Sequence, residues 1–301
     1  MQNQIDGIII KSIGGLYSVE TPLGILECSA RGIFRKMNIS PYTGDNVTIS
    51  EIKNDKGVIS EIKSRRNEII RPPLANLDQL IFVISTCDPA PNLTLLDKFI
   101  AISKYKGIDN LIAVTKIDIE NNPMLKQIYN KIGIDILEID YENEKSYMKL
   151  YDKLAGKISA FTGNTGVGKS TLLNHLDGNL QIKTGEISKK LGRGRHTTRH
   201  VELFKLSNGG YIADTPGFST LETNKYDIIL KDDIQDCFEE FKDYKDKCRF
   251  TDCSHTKEKG CAVIEAVNNG FIAVSRYNSY VNMYEEAKKI KEWEVKGKFN
   301  E

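Results

Sequence analysis

Gly163-Asn164-Thr165-Gly166-Val167-Gly168-Lys169-Ser170 has the spacing GxxxxGK[ST], a loop whose chemistry is the cradling of phosphate. Its glycines let successive backbone N–H groups curl around an anion, and the N-terminus of the following helix adds partial positive charge. Lys169 would reach the β- and γ-phosphates of a nucleoside triphosphate, the Ser170 hydroxyl would ligate Mg²⁺, and Thr171 continues the set into the helix. The pattern arises by chance in about one random chain of this length in a hundred. Here it has the context it requires: the apolar run 158–161 leads in and good helix formers over 169–176 lead out. A second constellation is Cys248-x4-Cys253-x-His255-x5-Cys261. Three thiolates and one imidazole make a closed Cys₃His set, the ligand set of one structural zinc ion with no open position for catalysis. Free buried cysteines and an iron–sulfur cluster are the competing readings, the second weakened because His ligation there is uncommon. Cys28, Cys87 and Cys237 are scattered, and they read as structural.

Two further segments acquire meaning beside the phosphate loop. Asp214-Thr215-Pro216-Gly217 follows the short strand 211–213. An acidic residue at the end of a strand next to a P-loop strand suits a Mg²⁺ contact, and Gly217 could donate its N–H to a γ-phosphate. Thr115-Lys116-Ile117-Asp118 stands directly after the strand 111–114 and resembles the [NT]KxD guanine motif of translation-factor GTPases. One carboxylate, Asp118, can accept both N1–H and the exocyclic amine of guanine, which adenine does not offer in that arrangement. The Lys116 stem would pack along the base. Threonine replaces the usual asparagine at 115, which weakens one supporting contact and the expected selectivity for GTP.

These residues need elements to hold them. Residues 77–161 alternate strand-length apolar runs (80–84, 111–114, 134–137, 158–161) with helical stretches, one of them over 95–106. That alternation specifies an α/β domain: a mostly parallel sheet with helices on both faces. Ahead of it, five short β-type runs (7–10, 16–19, 24–27, 46–49, 58–62) are punctuated by Gly14-Gly15 and Gly44-Asp45. They indicate a small β-barrel such as an OB-fold, although an SH3-like barrel would give the same pattern. Arg71-Pro72-Pro73 marks a boundary, because paired prolines cannot continue a strand or a helix. After about residue 225 the strands stop and mixed-charge helical sequence surrounds the Cys/His segment. The expected domains are an OB-like barrel over 1–68, a GTPase domain over 69–225 and a helical zinc-binding domain over 226–301.

The order of the motifs is unusual. The base motif precedes the P-loop by about 45 residues, where most GTPases place it after. One site closed in the order base motif, P-loop, switch I and DTPG requires a circular permutation, tolerable because the termini of compact domains lie at the surface. The loop flanking the base should then fall around residues 137–140, although the usual Ser-Ala pair is not there. Permuted order, P-loop and downstream Cys/His segment together resemble the RsgA (YjeQ/YloQ) family of small-subunit-dependent GTPases, over essentially the whole chain. The resemblance implies a GTPase stimulated by the small ribosomal subunit and acting late in its maturation. It also assigns 191–200 to switch I, with one of Thr197 and Thr198 contacting Mg²⁺ and γ-phosphate, and it matches the Cys/His spacing to the family's zinc knuckle. Where many GTPases carry a water-orienting Gln after DTPG, this chain has Phe218, so the free protein should turn over slowly. His196 is the best replacement, its imidazole able to hold or activate water near neutral pH; binding of rRNA phosphate by His196 and its neighbouring arginines is the rival role.

Bulk properties set limits on partners. A net charge of +1 excludes a uniformly basic protein held to nucleic acid by bulk charge, so rRNA contacts must come from local patches. The cluster Lys242, Lys245, Lys247, Arg249, Lys257 and Lys259 beside the Cys/His segment is one candidate. No apolar stretch approaches the roughly 20 residues that cross a bilayer, and the N-terminus lacks a secretory pattern. The reading is a cytoplasmic, monomeric protein binding GTP/GDP with Mg²⁺, the small ribosomal subunit and no membrane. A zinc-stabilised RNA-binding module with a nucleotide-sensing site and negligible hydrolysis is the alternative, and an ATPase of another P-loop class a third.

Overall fold

The computed structural model describes residues 4–177, 201–214 and 228–290. Strands β1 (Ile5–Ile13), β2 (Leu16–Thr21), β3 (Gly24–Ala30), β4 (Asn46–Lys53) and β5 (Lys56–Ile62), with the short helix α1 (Gly32–Lys36), form the first unit. Their alternating pattern puts Ile9, Tyr17, Val19, Leu26, Cys28, Val47, Ile49 and Ile59 into one core, closed by Phe34 of α1. The strands pair in the ring β1-β2-β3-β5-β4 and back to β1, with β3 parallel to β5 and the other pairs antiparallel. That closure selects the OB arrangement over the SH3-like one.

The paired prolines do not simply interrupt the chain. β6 (Glu68–Ile69) and β7 (Leu74–Ala75) flank them as a small hairpin, so Arg71-Pro72-Pro73 fills its turn. Beyond it come β8 (Gln79–Ser85), α2 (Leu93–Tyr105), β9 (Asp109–Thr115), α3 (Pro123–Tyr129), β10 (Asp135–Glu138), α4 (Glu144–Leu154), β11 (Ile158–Thr162), α5 (Lys169–Leu176), β12 (Glu202–Lys205) and β13 (Tyr211–Asp214). The sheet runs β10-β9-β8-β11-β13-β12, parallel as far as β13, with β12 antiparallel at its margin. Alternate residues of each strand feed two cores: Leu80 and Phe82 pack with α2 and α3, Ile81 and Val83 with α4 and α5. Burial on both faces is why these strands read as continuous apolar runs.

The last unit is built on α6 (Ala262–Asn268), α7 (Val274–Ala287) and tight turns over Ile234–Cys237 and Glu239–Phe241. Its core of Ile234, Phe238, Phe241, Val263, Tyr280 and Met283 also takes in Ala101 and Ile102 of α2. Leu96, Phe99 and Ile100 of the same helix belong to the sheet core. One helix therefore serves two cores, which fixes the last unit against the sheet.

Candidate nucleotide site and metal centre

Topology alone locates a site. β8, β9 and β10 step outward in one direction and β11 and β13 in the other, so the chain order reverses between β8 and β11. Open α/β sheets bind ligands at the carboxyl ends of their strands at such a switch point. The loop 163–168 leaves β11 there and ends at Gly168, the N-cap of α5, whose φ of +88° lies in the left-handed region that glycine favours. A Cβ on Gly163 would stand 2.3 Å from the Val83 carbonyl oxygen, so only glycine lets the loop lie this close to β8. Ser170 and Thr171 follow Lys169 in the first turn of α5, where the helix dipole favours an anion.

The base motif, far off in sequence, is bonded to this loop. The buried Thr115 hydroxyl donates to the Val167 carbonyl at 2.6 Å, so threonine here keeps a direct tie between the two motifs. Thr86 braces the turn from the end of β8: its amide donates to the Thr115 carbonyl at 3.1 Å and its hydroxyl to the Lys116 carbonyl at 2.8 Å. The Lys116 ammonium reaches the Asp88 carbonyl, and Asp118 is exposed. On the far side, the loop after β10 brings Tyr141 to the P-loop, its hydroxyl donating to the Gly168 carbonyl at 3.3 Å. Burial and, secondarily, the negative charge of Asp118 push the Tyr141 phenol up to about 12. Tyr141 also stacks near His175 of α5, with ring centroids 4.7 Å apart. Tyr141 and Thr86 escaped sequence reading; only the position of Tyr141, one residue past the expected base-flanking loop, signalled it.

A partly open cavity lies beside the P-loop, lined by Asn164, Val167, Pro89, Leu95 and Phe99 among others. Its walls are mainly apolar and include neither Lys116 nor Asp118. Asp214 ends β13, which pairs with β11 through Ala160 and Ala213, so its backbone reaches the P-loop edge of the sheet. His196, Thr197, Thr198 and Gly217 lie outside the described residues.

The sulfur atoms of Cys248, Cys253 and Cys261 and an imidazole nitrogen of His255 all fall within 4.8 Å of one another. Cys248 Sγ is 3.8 Å from Cys261 Sγ and 3.5 Å from His255 Nδ1, which is 3.4 Å from Cys261 Sγ. A tetrahedral ion with metal–sulfur bonds of about 2.3 Å needs ligand separations of about 3.8 Å, so these four atoms fit a zinc-sized ion. The Ala262 amide donates to Cys248 Sγ at 3.3 Å, and His255 Nε2 meets Gln235 Oε1 at 3.0 Å. Gln235 thereby fixes the ring with Nδ1 turned inward. His255 is buried beside the rings of Phe241 and Tyr280. Of the nearby cations, Lys242 and Lys245 are paired with Glu239 and Asp236.

Comparison with known proteins accords with this geometry. The RsgA GTPase profile matches residues 62–261 and the RsgA N-terminal domain profile residues 6–59. A small ribosomal subunit biogenesis GTPase RsgA from Caldanaerobacter subterraneus subsp. tengcongensis is 42% identical over 288 residues, covering 95% of this chain and 96% of that protein. A protein of the same name from Clostridium perfringens is 43% identical over 285 residues, 94% of this chain and 98% of the relative. Among solved structures, YjeQ from Thermotoga maritima superposes with a TM-score of 0.81 at 33% identity, covering 96% of this chain and all (100%) of that one. YloQ, described as a circularly permuted GTPase, superposes with a TM-score of 0.78 at 32% identity, covering 96% of each chain.

Proposed function

The chain belongs to the RsgA GTPase family, and from that premise we propose that it hydrolyses GTP to time a late step in maturation of the small ribosomal subunit, which stimulates it. The observation that carries the reading most directly is the 2.6 Å bond from Thr115 to Val167, which ties the base motif to the phosphate loop across the permuted order. With that tie, Asp118 and Lys116 stand over one end of a nucleotide whose phosphates meet 163–168 and the α5 N-terminus. Lys169 neutralises the β- and γ-phosphates, while Ser170 and Asp214 would hold Mg²⁺, which supplies charge stabilisation as the terminal phosphoryl group departs. Thr197 or Thr198 and the Gly217 amide sense the γ-phosphate. His196 positions the attacking water in place of the missing glutamine.

The Cys₃His cluster holds one structural zinc, keeping the C-terminal unit in shape for rRNA contact. The OB-like barrel supplies the second rRNA-contacting flank. The protein works in the cytoplasm as a monomer.

The test measures hydrolysis of GTP and ATP by the wild type, Lys169→Ala and His196→Ala, with and without purified small subunits. The expected result is GTP-selective turnover stimulated by subunits, lost in His196→Ala while GTP binding persists. Absence of stimulated turnover in the wild type would leave a nucleotide-sensing RNA-binding module instead.

A further inference from the structure

The barrel does not hang from the GTPase unit on a linker; it is hydrogen-bonded to the strand that leaves the switch I loop. Val201, directly after the loop assigned to switch I, is buried in the sheet core with Leu203. Its carbonyl accepts from the hydroxyl of Thr43, a barrel residue only 1% exposed, at 3.1 Å. The next residue, Glu202, is the register partner of Lys11 in β1 and lies 2.7 Å from its ammonium. At the far end of β12, Lys205 pairs with Glu20 of β2, which also accepts from the Tyr211 hydroxyl at 3.0 Å. Ile8 and Ile10 of β1 pack against the same sheet core.

Thr43 is itself held firmly. Its carbonyl accepts from the Ala75 amide at 2.9 Å, and it bridges to Leu74 of the β6–β7 hairpin. The adjoining Gly44 carbonyl accepts from Asn76 Nδ2 at 2.9 Å. An RNA-binding tether would need none of these bonds. The Thr43–Val201 bond is buried, whereas the two ion pairs between β12 and the barrel are partly exposed and individually weak.

We infer that Thr43 is a positioning residue for hydrolysis: it fixes the Val201 carbonyl, and with it the C-terminal root of switch I, to the barrel. A partner that shifts or clamps the barrel then acts on the loop that carries Thr197, Thr198 and His196, the last five residues upstream of Val201. This inference rests on the functional reading above.

Thr43→Val keeps the side-chain shape and removes the donor, and Thr43→Ser keeps the donor. With full-length, zinc-loaded protein and saturating small subunits, Thr43→Val should lower kcat for GTP about five- to tenfold, the size of one lost buried hydrogen bond. KM for GTP and the Kd for GDP should stay within about twofold, and Thr43→Ser should retain most of the turnover. A second arm follows amide exchange of peptides spanning 196–205 with a non-hydrolysable GTP analogue. Protection gained on binding the analogue should fall in Thr43→Val and return in Thr43→Ser. Unchanged kcat in Thr43→Val, losses that Ser does not rescue, or an equal fall in kcat and in GDP affinity would each overturn the inference. If the wild type itself shows no subunit-stimulated hydrolysis, the functional reading fails, while the exchange arm still decides the role of Thr43.

Discussion

Replacing Arg276 by methionine should break the seam between the C-terminal unit and the GTPase unit. Arg276 is 1% exposed, and its guanidinium sits between two carboxylates from different parts of the chain. Nη1 donates to Asp97 Oδ1 of α2 at 2.8 Å, while Nε and Nη2 donate to Glu240 at 2.7 and 3.2 Å. Its Cζ lies over the Phe238 ring, 4.6 Å from the centroid. Burial works against the charge, yet Glu240 and Asp97 outweigh it and raise the guanidinium pKa above its ordinary value. Methionine fills much of the same volume and supplies no donor. Removing one member of a buried pair costs about 3–5 kcal/mol, because the partners keep their charges without compensation. Asp97 would retain the Tyr129 hydroxyl at 2.9 Å and the Ser279 hydroxyl at 2.6 Å, which argues for the middle of that range, about 4 kcal/mol. That is a large share of the roughly 5–15 kcal/mol that holds a typical protein folded.

Urea unfolding followed by circular dichroism, with zinc release read by a chelating dye, measures the loss and shows whether the C-terminal unit melts first. Adding Asp97→Asn to Arg276→Met should recover about 1–2 kcal/mol, since asparagine is neutral, its Oδ1 still accepts from the Tyr129 hydroxyl, and its Nδ2 can donate to Ser279 Oγ, whose proton turns to the Ser275 carbonyl. A loss below about 1 kcal/mol, or a double variant no better than the single one, would refute the reasoning.

Three further outcomes follow from the site. Thr115→Val removes the hydroxyl that ties the base motif to Val167 and should raise the Kd for a fluorescent GDP analogue about five- to tenfold, with Thr115→Ser near wild type. Asp118→Asn turns an acceptor into a donor, so in competition assays preference should move from GTP toward XTP, whose 2-oxo group accepts, by about tenfold or more. Gln235→Leu frees the outer nitrogen of His255 and should weaken zinc retention against a chelator about tenfold while leaving GDP affinity unchanged.

What the sequence reveals about this site is what lies within one turn of the chain. The P-loop spacing, the TKID string and the Cys/His spacing each carry their chemistry locally, so they are readable before any fold is known. What ties them together is not local. Thr115 and Val167 are 52 positions apart, and threonine in place of asparagine reads as a weakened contact until the hydroxyl is placed against the P-loop carbonyl. Tyr141 lies one residue past the loop where a Ser-Ala pair is expected, and only that position signals it. The choice of barrel type depends on which strands close the ring, which strand-length runs do not encode. Arg71-Pro72-Pro73 reads as a break because proline cannot propagate a strand, yet a hairpin turn needs no propagation. Asp97 and Arg276 look like ordinary helix-face charges, since a sequence does not display which side of a helix meets another core.

The two flanking units hold the GTPase unit at different places, on either side of the P-loop strand β11. The barrel holds β12 and Val201, which directly follow residues 191–200 in the chain. The C-terminal unit holds α2, whose first turn, capped by Asn92 and carrying Leu95, lines the cavity beside the P-loop. One attachment lies on the β13–β12 side of the sheet and the other on the β8–β9 side, with the switch point between them. The permutation suits this arrangement: DTPG is the last of the nucleotide motifs in the sequence, and the unit that holds α2 comes after it.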